Sequence, residues 1–311
     1  MAIDAATVRR TLSHEAAYDA VRGAMIALSA GQVRQLLRSF IGLETGGTFA
    51  IMPAAFDGAG VFGAKLVSVV TGDDGRRAHQ GLVVLFDGVS GAPVCVTDAA
   101  AVTAIRTAAA SAVATEALAR PDARILAVLG TGRQAQEHVA AIAAQRDLAE
   151  IRLWGRSPDH ARALAQRLML ETGAPVFACA GVEAAVDGAD IVCTVTSAHD
   201  PILKGGQIGP GVHLNVVGSS GPAPAEIDEA LVAKSRFFVD HAEHVRVHGG
   251  EYLRALKAGV IGDNHILGEI GAVLSGAALG RASADDVTIY KSLGHAAQDL
   301  AVAAWLYERL K

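Results

Sequence analysis

The residues best placed to do chemistry begin with Gly130-Thr-Gly-Arg-Gln-Ala135, which follows the apolar run Ile125–Leu129 and leads into a segment with apolar residues at helical spacing. Strand, glycine turn and helix in that order suit a dinucleotide. The first glycine makes the tight turn, the second lets backbone N–H groups reach a pyrophosphate at the helix N-terminus, and a small third residue permits close helix–strand contact. Gly130, Thr131, Gly132, Arg133, Gln134 and Ala135 are therefore expected to line the pyrophosphate. An NAD site places a carboxylate on the ribose at the end of the second strand, where it would repel the extra phosphate of NADP. In this chain that strand ends Trp154-Gly-Arg-Ser-Pro-Asp-His160. Arg156 takes the tip and Ser157 can both cap the next helix and offer a hydroxyl to a phosphate, so NADPH/NADP is expected and NAD disfavoured. The alternative is a solvated Arg156, with Asp159 turned back to the ribose.

Two cations stand out elsewhere. Lys65 interrupts an apolar extended segment, and Arg106 sits in the middle of an alanine-rich helix. Either is a solvated surface residue or a buried functional charge, and the residues alone leave both open. Cys95, Cys179 and Cys193 lie among apolar neighbours without metal-ligand spacing and read as buried structural thiols. His241, His244 and His248 have a spacing natural on a solvated helix face, and no metal site is expected.

The elements that must position these groups follow from periodicity. Ala17, Val21, Ala24 and Leu28 share one face of an opening helix over 13–29. Extended segments at 48–52, 60–70, 81–86 and 93–96, with a hairpin turn at 87–91, predict an antiparallel layer. Thr97 or Asp98 can cap a helix running to about Ala119. Strands at 125–129, 151–154, 176–179, 190–196, 212–217 and 236–239 then alternate with helices, which is the pattern of a doubly wound parallel sheet. Helices around 250–258 and 267–275, a short strand at 287–290 and a last helix with Leu300, Ala304, Tyr307 and Leu310 on one face complete the chain. The expected fold class is α/β: a Rossmann domain over 120–286, and a discontinuous α+β domain made of 1–119 and 287–311.

The 311 residues are 51% hydrophobic, with Lys+Arg 27 against Asp+Glu 32 and a formal charge of −5; the mean hydropathy is +0.33. There is ample material for two cores and no basic stretch for nucleic acid. Neither a signal-peptide pattern nor a membrane-length apolar run is present, so a cytoplasmic protein is expected.

With the glycine turn placed, further motifs fall into order: Met52-Pro53, Gly63-Ala-Lys65, Leu85-Phe-Asp87, Thr103-Ala-Ile-Arg-Thr-Ala-Ala109, Ala189-Asp-Ile-Val192, and Lys291-Ser-Leu-Gly294 with Gln298-Asp299. Together they resemble the ornithine cyclodeaminase/μ-crystallin family over nearly the whole chain. The resemblance implies a homodimer whose non-Rossmann domain supplies the interface and the substrate pocket, and small α-amino, α-imino or α-keto acids as substrates. By matching position it implies Arg38, Lys65 and Arg106 as a carboxylate clamp and His79 as a pocket residue. It also implies Thr196, Ser197, Ser220 and Ser292 beside the cofactor.

Departures from the cyclodeaminase pattern narrow the reaction. Ser220 stands where that branch has an acid–base Asp, Pro224 where it has a Lys, and Ala50 where it has an acidic residue ahead of Met-Pro. A serine without an activating base is a poor general acid near neutrality, whereas a protonated cyclic imine already carries its proton and needs mainly positioning. The leading expectation is NADPH-dependent reduction of Δ1-pyrroline-2-carboxylate or Δ1-piperideine-2-carboxylate, with Lys65 either as proton donor to the imine nitrogen or as a purely electrostatic contact to the carboxylate. Reductive amination of an α-keto acid, ornithine cyclodeamination and non-catalytic ligand binding are the alternatives.

Overall fold

The computed structural model describes residues 1–44, 46–58, 60–71 and 77–311, with the side chains of 71 and 77–79 also outside the described set. It forms two compact units, 1–106 with 294–311, and 107–293.

The first unit contains β1 (Ala2–Ile3), α1 (Ala5–Thr11), α2 (His14–Ser29), β2 (Val33–Gln35), β3 (Ser39–Gly42), β4 (Thr48–Phe56), β5 (Val61–Thr71), β6 (Arg77–Asp87), β7 (Pro93–Asp98) and the start of α3 (Ala99–Leu118). Its sheet runs β1-β7-β6-β5-β4-β2, with β3 also on β4; all pairings are antiparallel except β1 with β7. Because side chains alternate across a strand, one face collects Ala50, Met52 and Ala54 of β4, Lys65 of β5, Val83 and Leu85 of β6 and Cys95 of β7, all buried. The second unit contains β8 (Ile125–Leu129), α4 (Arg133–Ala143), β9 (Glu150–Trp154), α5 (Pro158–Thr172), β10 (Val176–Ala178), α6 (Val182–Val186), β11 (Ile191–Thr194), β12 (His213–Val216), α7 (Glu229–Lys234), β13 (Arg236–Val239), α8 (Ala242–His248), α9 (Gly250–Lys257), β14 (Ile266–Glu269), α10 (Ile270–Leu274) and β15 (Thr288–Lys291). The closing helix, α11 (Ala296–Leu310), returns to the first unit, where it packs on β4, β5, β6 and α2.

The second unit's sheet is wholly parallel, in the order β10-β9-β8-β11-β12-β15-β13-β14. The winding direction reverses between β8 and β11, which opens a crevice at the strands' carboxyl ends. Ser13 caps α2, whose Ala17, Val21, Ala24 and Leu28 are buried as the periodicity requires. Asp98 rather than Thr97 caps α3, accepting from the Ala101 amide at 2.7 Å. Among the described residues no helix is long and apolar enough to cross a membrane.

Several expectations change. The units divide at 106/107 and 293/294 rather than at 119/120 and 286/287. At the second boundary the reason is that β15 is an interior strand of the parallel sheet, paired to both β12 and β13. Residues expected as one helix over 267–275 split into edge strand β14 and short helix α10, since a brief apolar run fits either period. The buried residues of α11 include Gln298, Asp299, Val302, Ala303 and Leu306 beside Leu300 of the expected stripe, whereas Ala304 and Tyr307 are half-buried and Leu310 is exposed, because this helix buries polar groups.

Candidate active site

The cofactor candidates gather at the carboxyl end of the parallel sheet, each following a strand: 130–135 after β8, Arg156 and Ser157 after β9, Thr196 and Ser197 after β11, Ser220 after β12, and Ser292 after β15. Gly130 has φ +138°, and a Cβ there would lie 2.8 Å from the Val195 carbonyl oxygen, so a side chain is excluded. Gly132 is the N-cap of α4 and no side chain caps that helix. Its first-turn amides suit an anionic group at the positive end of the helix dipole. The residues thus fit the pyrophosphate of a dinucleotide. Ala135 is fully buried against the sheet, as close packing demands. Ser157 caps α5 by accepting from the His160 amide, Arg156 is exposed, and Asp159 is held by Arg162 on the same helix.

Beneath these loops lies a polar scaffold. The Glu226 carboxylate, fully buried, accepts from the Thr194 and Thr196 hydroxyls at 2.7 Å each and from the Thr196 and Gly218 amides at 2.6 Å each, tying the end of β11 to that of β12. Burial pushes its pKa above the usual carboxylate range despite the pull of those donors. Glu251 in turn accepts from the Glu226 amide at 3.0 Å and from the Ser219 hydroxyl, and pairs with the fully buried Lys291 at 2.9 Å. Lys291 also donates to the Ser219 carbonyl and hydroxyl at 2.6 Å each. Ser220 is exposed beside this knot, and the Ser292 hydroxyl is buried without a partner among the described residues.

The first unit holds the cations. Lys65, 5% exposed, points to the inner sheet face, where Thr103 of α3 accepts from its ammonium at 2.6 Å and Asp299 of α11 at 3.0 Å. Thr103 donates its own hydrogen to the Ala99 carbonyl at 2.6 Å, so toward Lys65 it can only accept. Arg106, one helical turn beyond Thr103, donates from Nε to the same Asp299 oxygen at 2.9 Å and from Nη1 to Gln298 at 2.8 Å. Arg38 reaches the Gly294 carbonyl at 2.8 Å. Gly294, at φ +72°, also makes room for Arg106, since a Cβ there would stand 2.5 Å from Nη1 and 2.8 Å from Nη2. Burial, reinforced by Arg106 and Arg38, lowers the Lys65 pKa to about 8 against the opposing pull of Asp299.

A profile of the ornithine cyclodeaminase/mu-crystallin family matches residues 1–311. The chain belongs to this family. It is 36% identical over 265 residues to a Delta(1)-pyrroline-2-carboxylate reductase of Bacillus cereus, covering 84% of this chain and 81% of that protein. It is 34% identical over 281 residues to the ketimine reductase mu-crystallin of Mus musculus, covering 89% and 86%. Its fold matches that of the Thermococcus litoralis Delta(1)-pyrroline-2-carboxylate reductase in complex with NADH and L-proline, at a TM-score of 0.95 and 29% identity over 99% of this chain and 97% of that one.

Against the family expectations, the structure brings Arg38, Lys65 and Arg106 into one cluster, with Gly294 between the two arginines. His79 is on β6, but its side chain lies outside the described residues. His241 caps α8, and His244 is 2% exposed rather than on a solvated face, because α8 packs on α9 and β14. Among the described residues no group of three His, Cys, Asp or Glu side chains is arranged to hold a metal. Cys95 and Cys193 are buried, whereas Cys179 is partly exposed just past the edge strand β10, which has a neighbour on one side only. Thr103 and Asp299 fall inside motifs quoted above without being read as site residues, and Glu226 and Glu251 fall in none of them. The available signal was the rule that buried Lys and Arg side chains need counter-charges, which turns attention to the acid inside the otherwise apolar α11.

Proposed function

We propose that this protein reduces a cyclic α-imino acid with NADPH, converting Δ1-pyrroline-2-carboxylate to L-proline, Δ1-piperideine-2-carboxylate to L-pipecolate, or both. The observation that carries the reading is the desolvated cation cluster of the first unit. After its contacts to Thr103 and Asp299, the Lys65 ammonium keeps a third N–H, and Arg106 keeps donors on Nη1 and Nη2. An arginine with its Nε committed presents the paired Nη edge, a geometry that binds both oxygens of a carboxylate.

A reduced nicotinamide, when bound, supplies the hydride for such a reduction. Arg106 and Arg38 hold the carboxylate and so fix the orientation of the adjacent imine carbon. To an imine that arrives neutral, Lys65 gives the proton that makes the nitrogen an iminium, so that hydride added to the carbon leaves the neutral secondary amine; a pKa near 8 suits the task, because the group is mostly protonated at neutrality yet gives up its proton readily. With a serine at position 220, the chemistry rests on a preformed imine rather than on deamination of a diamine.

NADPH is favoured by the exposed Arg156 at the second-strand tip and by the ion pair that engages Asp159 with Arg162. Assembly as a homodimer through the first unit is supported by its exposed apolar side chains Phe40, Ile41, Phe62 and Leu82, and sedimentation measures it directly. The deciding experiment follows absorbance of the reduced nucleotide with the two cyclic imines, with pyruvate plus ammonium, and with ornithine without a hydride donor. NADPH oxidation with an imine and without ammonium is expected. Turnover only with pyruvate and ammonium, or ammonia release from ornithine, refutes the reading.

A further inference from the structure

Among the described residues Asp299 touches two of the three cations of the cluster, Lys65 and Arg106, and it does so through a single atom. Oδ1 accepts from Lys65 Nζ at 3.0 Å and from Arg106 Nε at 2.9 Å, on a side chain with no exposed surface. Oδ2 of the same carboxylate is buried and has no partner among the described residues. Lys65 lies on β5, Arg106 on α3 and Asp299 on α11, so one oxygen joins three separate elements. We propose that Asp299 is a positioning residue that fixes the proton-holding state of Lys65 and the orientation of Arg106 through their shared bond to Oδ1. The catalytic consequence rests on the imine-reductase reading above, whereas the electrostatic link between Asp299 and Lys65 does not.

The charged groups facing Lys65 are Asp299, which favours the ammonium, and Arg106 and Arg38, which oppose it; Thr103 adds a neutral acceptor. Removing the Asp299 charge therefore shifts Lys65 toward the neutral amine. Competitive acetylation with acetic anhydride, quantified on the Lys65 peptide of the full-length protein across pH, reads this with no substrate present. In Asp299→Asn, acetylation of Lys65 at pH 7 is expected to rise about three- to five-fold, because a group near pKa 8 is about one-tenth neutral there. Asp299→Glu, which keeps the charge, should restore most of the wild-type profile. Arg106→Gln, which leaves Asp299 to Lys65 alone, should slow acetylation instead, and it provides a second test should the Asn variant fail to fold. A merely structural role would lower stability in all three variants and leave the acetylation midpoint in place, and that result overturns the proposal. The basic limb of kcat/KM for the cyclic imine should move to lower pH in Asp299→Asn. If the acetylation shift appears but wild-type protein reduces no imine, the functional reading fails while the Asp299 link stands.

Discussion

Gly294→Ala isolates the contribution of geometry to the cation cluster, because it adds one methyl group and changes no charge. The added Cβ would lie 2.5 Å from Arg106 Nη1, 2.8 Å from Nη2 and 3.0 Å from Cζ. Ordinary contact needs about 3.4 Å, so the guanidinium must retreat by about 0.9 Å, or the backbone must move with the Gly294 carbonyl that holds Arg38. Alanine at φ +72° adds a backbone penalty of about 1–2 kcal/mol. A displacement near 1 Å of a substrate-positioning group costs about 100-fold in rate. The variant should therefore lose about two orders of magnitude in kcat/KM for the cyclic imine, through both KM and kcat, while unfolding only slightly earlier. Steady-state kinetics with NADPH beside a urea denaturation series measures the two effects on the same preparation. Turnover within three-fold of wild type in a protein that carries the substitution and folds normally would show that Arg106 does not hold the substrate in the orientation argued above.

Replacing Arg156 with Glu should raise KM for NADPH at least ten-fold and leave NADH nearly unaffected, since only the phosphorylated ribose meets the altered charge; initial rates with both nucleotides decide it. Glu226→Ala leaves four donors facing a buried void. At about 1–3 kcal/mol for each donor left unpaired, the variant should melt well below wild type and bind nucleotide weakly, which calorimetry and fluorescence titration report. Burial lowers His138 to about 4 and His213 to about 3, in the latter case aided by Arg281. Both histidines are therefore neutral in the folded protein and bind protons more readily when unfolded. Their contribution is complete above about pH 6.5 and is lost as pH falls toward 4 and then 3, amounting to about 2 kcal/mol each at pH 5. Urea midpoints measured from pH 8 to 5 should fall accordingly and recover in part in a His213→Asn variant.

What the sequence made legible divides by physical cause. The parallel sheet and its glycine turn could be read because buried strands and helix starts leave periodic marks, and Ile125–Leu129 followed by Gly130 is such a mark. Lys65 and Arg106 could be singled out because a charge inside an apolar run must be solvated or paired. Their partner could not be found the same way. Asp299 is 193 positions from Arg106 and 234 from Lys65, and no local pattern links residues so distant. The apolar periodicity of α11 misdirects in part, for of the stripe it favours only Leu300 is buried, and it skips Asp299, which the helix buries as well. The same holds for β15, which looked like a tail strand because parallel pairing to β12 and β13 leaves no hairpin signal in the chain. In both cases the missing information is a long-range pairing imposed by charge or by a sheet vacancy. Asking of each buried cation which acid in the chain could reach it narrows that search: Asp299, in the apolar stretch 296–306, is an acid that must itself be solvated or paired, so Lys65 and Arg106 are the cations whose burial it explains.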